Sequence, residues 1–284
     1  MLHRRSFLRF TLYAFLLLGT AVLRAEDDRP VVNDSGVALE KPASGTLSTL
    51  WIAGDSTVKS AAPLRGWGQD LGRFFDPKKI NVVNQAIGGR SSRTFYTEGR
   101  WQKLVDGIKP GDWVIIQFGH NDVGRTDASS KFRGSVKGIG DETETVTKPD
   151  GTTEVVHSYG WYLKTFVRTA RAKGGNVILC SPIPHKKFDS SGKFVRDWVE
   201  WRGWVAACAK SEGASYVDLC ELIARGYDKL SQPQIEAFFG DKGTHTNDAG
   251  SLFNARALVS GLKSLPGSPL SFALSAEGKT ASVP

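Results

Sequence analysis

The chain has 284 residues, of which 40% are hydrophobic and 23% charged, with a formal net charge of +8. A chain of that length and balance can bury a sizeable core without crosslinks or metals, as one large α/β domain or two small ones. Beyond the pairs Lys78-Lys79 and Lys186-Lys187 its bases form no dense run, so nothing argues for nucleic-acid binding.

Residues 1–25 read as a secretory signal peptide. Arg4 and Arg5 precede an apolar run from Phe10 to Leu23, and Ala25 supplies a small residue before Glu26-Asp27-Asp28. Arg4-Arg5-Ser6-Phe7-Leu8-Arg9 also fits a twin-arginine export signal. The alternative is a membrane anchor, but the run is short against the roughly 20 residues that a full span needs. The expected location is secreted or periplasmic, with no membrane attachment after cleavage. Without the four arginines of the leader, 33 bases face 29 acids, a mild net charge of +4. That is compatible with a polyanionic partner and does not require one.

Residues 26–47 are rich in Pro, Asp, Ser and Gly without a period and read as a linker. From residue 48 strand and helix signals alternate. Leu50–Ala53 is a short apolar run stopped by Gly54. A helix is expected over 67–75 and a strand over 80–84. Trp113–Phe118 is the clearest strand, β-branched and aromatic, with Gly119 behind it. Residues 144–156 read as a β-hairpin around Lys148-Pro149-Asp150-Gly151-Thr152, placed to form one wall of a crevice. A helix over 158–173 ends at Gly174-Gly175, and 176–180 is another buried strand. A long helix is expected over 193–211, a last strand over 214–219, and a closing helix over 247–263 capped by Thr246 or Asn247. The stretch 265–284, rich in Ser, Ala, Gly and Pro, reads as a poorly packed tail.

Five strands alternating with helices imply a parallel sheet covered on both faces. In such sheets the ligand crevice lies beyond the carboxyl ends of the strands. The chemistry should therefore sit in Gly54-Asp55-Ser56, in 85–93, and in Gly119-His120-Asn121-Asp122.

Of the three cysteines, Cys180 lies in an apolar run, and Cys208 and Cys220 could pair in an oxidising compartment or remain buried thiols. No Cys/His cluster has zinc-ligand spacing.

Alone, Gly54-Asp55-Ser56 fits a helix cap as well as a nucleophile. Near the end of the chain, Asp241 precedes His245, and a carboxylate there could hold Nδ1–H and free Nε2 for a serine. Gly89 after the second strand and Asn121 after the third offer an N–H and an amide for an oxyanion. Each motif has a structural explanation by itself; four in order, each at a strand end, argue together for acyl transfer.

These four segments resemble the four blocks of the SGNH (GDSL) hydrolase superfamily over residues 48–264. Gly89-Arg90-Ser91-Ser92-Arg93-Thr94, Glu98-Gly99-Arg100, the hairpin and His157–Leu163 resemble rhamnogalacturonan acetylesterases of carbohydrate esterase family twelve. The resemblance implies a flavodoxin-like three-layer α/β/α sandwich around a central five-stranded parallel sheet. It implies Ser56 as nucleophile, His245 as base, Asp241 as its orienter, and an oxyanion hole from Ser56 N–H, Gly89 N–H and Asn121. It implies double displacement without metal or organic cofactor, on an acetylated polysaccharide. Arg90, Arg93 and His120 are expected to touch substrate, and Arg65 and Lys59 lie in the same segments; Trp67, Trp161 and Trp198 could offer stacking faces. One departure stands out: three residues, Lys242, Gly243 and Thr244, separate Asp241 from His245, where the family has two. Asp248 is a poorer orienter, falling inside the helix. Xylan or another acetylated glycan remains open as substrate, as does a carbohydrate-binding protein on a decayed hydrolase fold.

Overall fold

The computed structural model of the chain describes residues 40–283. The expected leader, and the linker as far as residue 39, lie outside the described residues.

The strands are β1 Thr49–Gly54, β2 Asn81–Asn84, β3 Trp113–Gln117, β4 Thr143–Thr147, β5 Thr153–His157, β6 Asn176–Cys180 and β7 Ser215–Val217. The helices are α1 Ser92–Thr97, α2 Arg100–Gly107, α3 Tyr159–Ala172, α4 Val199–Glu212, α5 Leu219–Tyr227, α6 Gln232–Glu236, α7 Asp248–Lys263 and α8 Ala276–Thr280. Five strands form one parallel sheet in the order β2-β1-β3-β6-β7. This is the doubly wound arrangement expected from the alternating segments. Among the described residues no helix is long and apolar enough to cross a membrane.

Strand periodicity splits the core in two. Leu50, Ile52, Ile115, Ile178 and Cys180 point to one face, under α5 and α7. Trp51, Ala53, Val114, Ile116, Val177 and Leu179 point to the other, under α2, α3 and α4. Successive side chains of a strand face opposite ways, so near-continuous apolar runs feed both layers. Each fully buried Ile, Leu or Val contributes roughly 1.5–3 kcal/mol. Helix α3 shows the matching helical pattern: Tyr159, Tyr162, Leu163, Phe166, Val167 and Ala170 are buried, and the Ser158 side chain accepts from Trp161 N at 3.0 Å.

Four expectations are corrected. Residues 67–75 form two short 3-10 helices, Trp67–Gln69 and Leu71–Phe74, instead of one α-helix. Gly68 and Gly72 weaken a helix there, and a Cβ on Gly68 would lie 2.6 Å from Asn84 Nδ2. The helix expected from 193 begins at Val199. Ahead of it Asp189 gathers the N–H groups of Ser191 and Lys193 into a turn, Phe188 bridges Phe194, and Trp198 has a left-handed φ of 64°. The last strand is only Ser215–Val217, because Asp218 turns to cap α5 through Glu221 N. The tail is packed, not loose. Leu265, Leu270, Ala273, Leu274 and Ala281 join the core, and Leu274 bridges Phe75. The few apolar residues among its small ones suffice to dock it. The first described residues are also tied: Gln85 Nε2 donates to Glu40 O at 2.6 Å, and Asn81 exchanges hydrogen bonds with Ser44.

The hairpin forms as expected, with Thr147 opposite Thr153 and Gly151 at φ 82° in the turn. All three cysteines are buried thiols.

Candidate active site

At the end of β1 the chain turns sharply. A Cβ on Gly54 would lie 2.4 Å from Val58 Cγ2 and 2.8 Å from Gln117 O, so only glycine fits. Asp55 O accepts the N–H groups of Val58 and Lys59, and Asp55 Oδ1 accepts from Thr57 N at 2.8 Å and Thr57 Oγ1 at 2.7 Å. Thr57 Oγ1 in turn accepts from Gln117 Nε2, and Gln117 Oε1 accepts from Trp67 Nε1. The expected helix start is thus a buried polar turn, with Ser56 at its apex. Trp67 is spent in this network and in the core.

The loop before α7 brings in the other two groups. His245 Nε2 lies 2.8 Å from Ser56 Oγ, and His245 Nδ1 lies 2.5 Å from Asp241 Oδ2. With the carboxylate on Nδ1, that nitrogen carries the proton and Nε2 is left to accept from the serine. The extra residue between Asp241 and His245 is absorbed by the aspartate itself. Its Oδ1 accepts the N–H groups of Gly243, Thr244 and His245 at 2.8, 2.8 and 3.0 Å. Burial works to raise the pKa of Asp241, but the imidazole and these backbone donors outweigh it, holding the carboxyl far below its usual range. Asp248 is 91% exposed and turned toward Arg65.

The Gly89 turn and Asn121 meet at the same place. A Cβ on Gly88 would lie 3.6 Å from Ser56 Cβ, and Gly89 has a φ of 77°. Asn121 Nδ2 donates to Arg90 O at 3.0 Å, which leaves the second amide hydrogen uncommitted. Among the described residues, the N–H groups of Ser56 and Gly89 have no acceptor. Next to Asn121, Asp122 is fully buried and accepts from Ser92 N, Ser92 Oγ and Ser135 Oγ. Burial pushes its pKa up to about 6 despite those donors.

The residues expected to touch substrate divide. Arg93 is 0% exposed and does not line the crevice. It pairs with Glu154 of β5 and donates to Thr126 O and Gly134 O, tying the hairpin and the 126–134 loop to α1. The His120 side chain is 3% exposed and sits behind the Ser56 turn. Its Nδ1 is 3.6 Å from Asp55 Oδ2, and its ring packs edge-on against His185 and Trp198. Burial favours a neutral Asp55, but His120 and Thr57 win and hold its carboxyl below the ordinary value. Arg90 is partly exposed, paired with Glu98. Arg65 pairs with Asp70 and Lys59 with Glu40. Trp161 stacks on His157, and Trp198 on His185.

Two groups had no motif to reveal them. His185, after β6, has Nδ1 2.6 Å from Asp197 Oδ2, a second histidine–aspartate pair. Arg133 reaches the Gly89 turn, donating to Gly89 O at 3.3 Å. Among the described residues no group of three or more His, Cys, Asp or Glu is arranged to hold a metal ion.

A five-stranded parallel sheet with a serine, a histidine and a carboxylate aligned at its carboxyl edge is an arrangement that fits a hydrolase. Residues 52–252 match the GDSL-like Lipase/Acylhydrolase family, and the chain belongs to it. It is accordingly a carboxylic ester hydrolase. The rhamnogalacturonan acetylesterase of Emericella nidulans is 35% identical over 76% of this chain and 85% of its own. The rhamnogalacturonan acetylesterase RhgT of Bacillus subtilis is 30% identical over 81% of this chain and 96% of its own. Among solved structures, YxiM of Bacillus subtilis superposes with a TM-score of 0.62 at 27% identity, over 77% of this chain and 56% of that longer one. A catalytic mutant of the acetylxylan esterase Axe2 of Geobacillus stearothermophilus superposes at 0.51 with 22% identity over 78% of this chain and 95% of that chain, a likeness of fold.

Proposed function

We propose that the protein is a secreted acetylesterase that removes acetyl groups from rhamnogalacturonan, using Ser56, His245 and Asp241. The observation that carries the chemistry is the 2.8 Å contact between Ser56 Oγ and His245 Nε2, with Asp241 behind the imidazole. Ser56 Oγ attacks the ester carbonyl while Nε2 takes its proton. The tetrahedral oxyanion is met by Ser56 N–H, Gly89 N–H and Asn121 Nδ2. The imidazolium returns the proton to the departing sugar hydroxyl, leaving an acetyl-serine. Water, activated by the same nitrogen, then releases acetate and restores the serine. Rhamnogalacturonan is favoured over xylan because the relatives bearing that name share 30–35% identity across most of the chain. Export rests on the basic, apolar and small-residue order of residues 1–25.

Acetate release from acetylated rhamnogalacturonan tests the reading. The wild type should release acetate, and Ser56→Ala should lose about 10⁴-fold or more in kcat. A Ser56→Ala variant of undiminished activity would overturn the mechanism, and faster release from acetylated xylan would overturn the substrate. Amino-terminal sequencing of exported protein should find a start near residue 26; an intact leader would remove the secretion proposal.

A further inference from the structure

The four arginines in the segments that build the Ser56 crevice are not alike. Arg65, Arg90 and Arg93 each pair with a carboxylate, of Asp70, Glu98 and Glu154. Arg133 has none: among the described residues no carboxylate is close enough to pair with it. Its guanidinium makes two hydrogen bonds, both to backbone oxygens, from Nε to Ser130 O and from Nη1 to Gly89 O, each 3.3 Å. Five donors are available on a guanidinium, so three remain for another partner. Through Gly89, this free cation stands one residue from Gly88, which abuts Ser56.

The loop that presents Arg133 is built at a cost. Lys131 and Phe132 both hold left-handed φ values, 59° and 56°, directly before it. Two non-glycine residues in that region are strained and persist only where the surroundings force them. The surroundings do. A Cβ on Gly134 would lie 2.1 Å from Gly124 O, so the chain is pressed flat behind Arg133. Buried Arg93 Nη1 clamps Thr126 O and Gly134 O at 2.8 Å, and Ser135 Oγ is held by Asp122. The loop is thus fixed on both sides of one half-buried, unneutralised arginine beside the turn that would receive the ester.

We infer that Arg133 reads a carboxylate carried by an acidic sugar unit of the substrate, and so selects acidic over neutral glycans. The inference rests on the reading of Ser56 as the centre of a glycan esterase. The planar fork of Arg133 matches a carboxylate in two parallel hydrogen bonds, and the uncharged rim of a neutral glycan offers it no comparable partner.

Two measurements separate this from the reading it rests on. The first needs no turnover. Binding of an unacetylated oligogalacturonate and of a xylo-oligosaccharide is measured by calorimetry on Ser56→Ala and on Ser56→Ala with Arg133→Gln. Losing a charge-assisted contact should weaken oligogalacturonate binding about 10- to 100-fold and leave the xylo-oligosaccharide unchanged. Arg133→Lys should recover part of the loss, as a point charge without the fork. Equal oligogalacturonate binding with and without Arg133, or equal weakening of both ligands, overturns the inference. The second measurement is the ratio of kcat/KM for an acetylated rhamnogalacturonan oligosaccharide to that for acetylated xylo-oligosaccharide. That ratio should fall by a similar factor in Arg133→Gln; an unchanged ratio overturns the inference. Wild-type protein that releases acetate from none of these and none from acetylated rhamnogalacturonan would sink the esterase reading alone, and the binding comparison would still judge Arg133.

Discussion

Two histidine–aspartate pairs stand at the carboxyl edge of the sheet, and they look alike at first. His245 has its Nδ1 2.5 Å from Asp241, and His185 has its Nδ1 2.6 Å from Asp197. The difference lies in what surrounds each pair. The Nε2 of His245 meets the hydroxyl of Ser56 at 2.8 Å, whereas no described side chain hydrogen-bonds the Nε2 of His185. Asp241 Oδ1 collects three backbone N–H groups; Asp197 Oδ1 takes only His185 N, at 3.4 Å. His185 instead stacks on Trp198 and touches His120, in an aromatic cluster. A carboxylate on the Nδ1 of a histidine is therefore not by itself a signature of catalysis. The acceptor on the far nitrogen and the fixing of the carboxylate are what distinguish the two.

The largest expected effect separates the pairs outright. His245→Ala should lower kcat on an acetyl ester about 10⁴-fold, since the serine loses its base. His185→Ala should change kcat by no more than about tenfold, the scale of one lost contact of roughly 1 kcal/mol. Steady-state kinetics on both variants decides it; comparable losses would erase the distinction.

The next effect sharpens the role of the carboxylate. Asp241→Asn keeps an oxygen for the three backbone donors but replaces the acceptor on Nδ1 with an N–H donor, favouring the wrong tautomer. A loss of about 10³–10⁴ in kcat is expected, with KM little changed. The pH dependence follows from the depressed pKa of Asp241. A carboxyl whose folded pKa lies below its unfolded value contributes stability that is fully present above the unfolded value. That stability is lost as pH falls through the folded value. The stability gap between wild type and Asp241→Asn, measured by urea unfolding, should therefore be full at pH 6 and narrow below pH 4. A gap that widened in acid would contradict the depressed value.

The convergence of Ser56, His245 and Asp241 was legible in the sequence, and the His185–Asp197 pair was not. Ser56, Gly89, Asn121 and His245 each end a segment whose apolar run marks a buried parallel strand or whose cap marks a helix, so their convergence followed from topology. Asp241 was harder. Its spacing of one residue too many could be accommodated only because its own carboxylate folds the intervening backbone, which no spacing rule displays. Arg93 and His120 sat in the right segments but face inward. Chain position places a residue near the crevice, while its side chain's direction depends on neighbours such as Glu154 and His185 that arrive from distant segments. His185 and Asp197 are twelve residues apart and carry no pattern, and Arg133 lies in a loop whose strained backbone leaves no trace in composition. The docked tail was missed because five buried apolar residues were diluted among small ones.

The smallest expected effect concerns the His185–Asp197 pair. Asp197 precedes Trp198, whose left-handed φ of 64° is a costly conformation for an aromatic residue, and whose indole N–H is held by Ile183 O at 2.9 Å. The bond from Asp197 to His185 ties this strained corner to the loop after β6, and Lys186 N in turn donates to Gly243 O, beside the Asp241 turn. The pair then acts as a strut between two loops. Asp197→Asn should cost about 1 kcal/mol, as for one partly exposed hydrogen bond, and lower Tm by about 2–4 °C. Thermal unfolding reads the stability, and kcat on an acetyl ester should stay within about twofold of the wild type, because neither Ser56 nor His245 loses a partner. A thousandfold fall in kcat with an unchanged Tm would mean that Asp197 works through His185 on the reaction, and the two pairs would have to be treated as one machine.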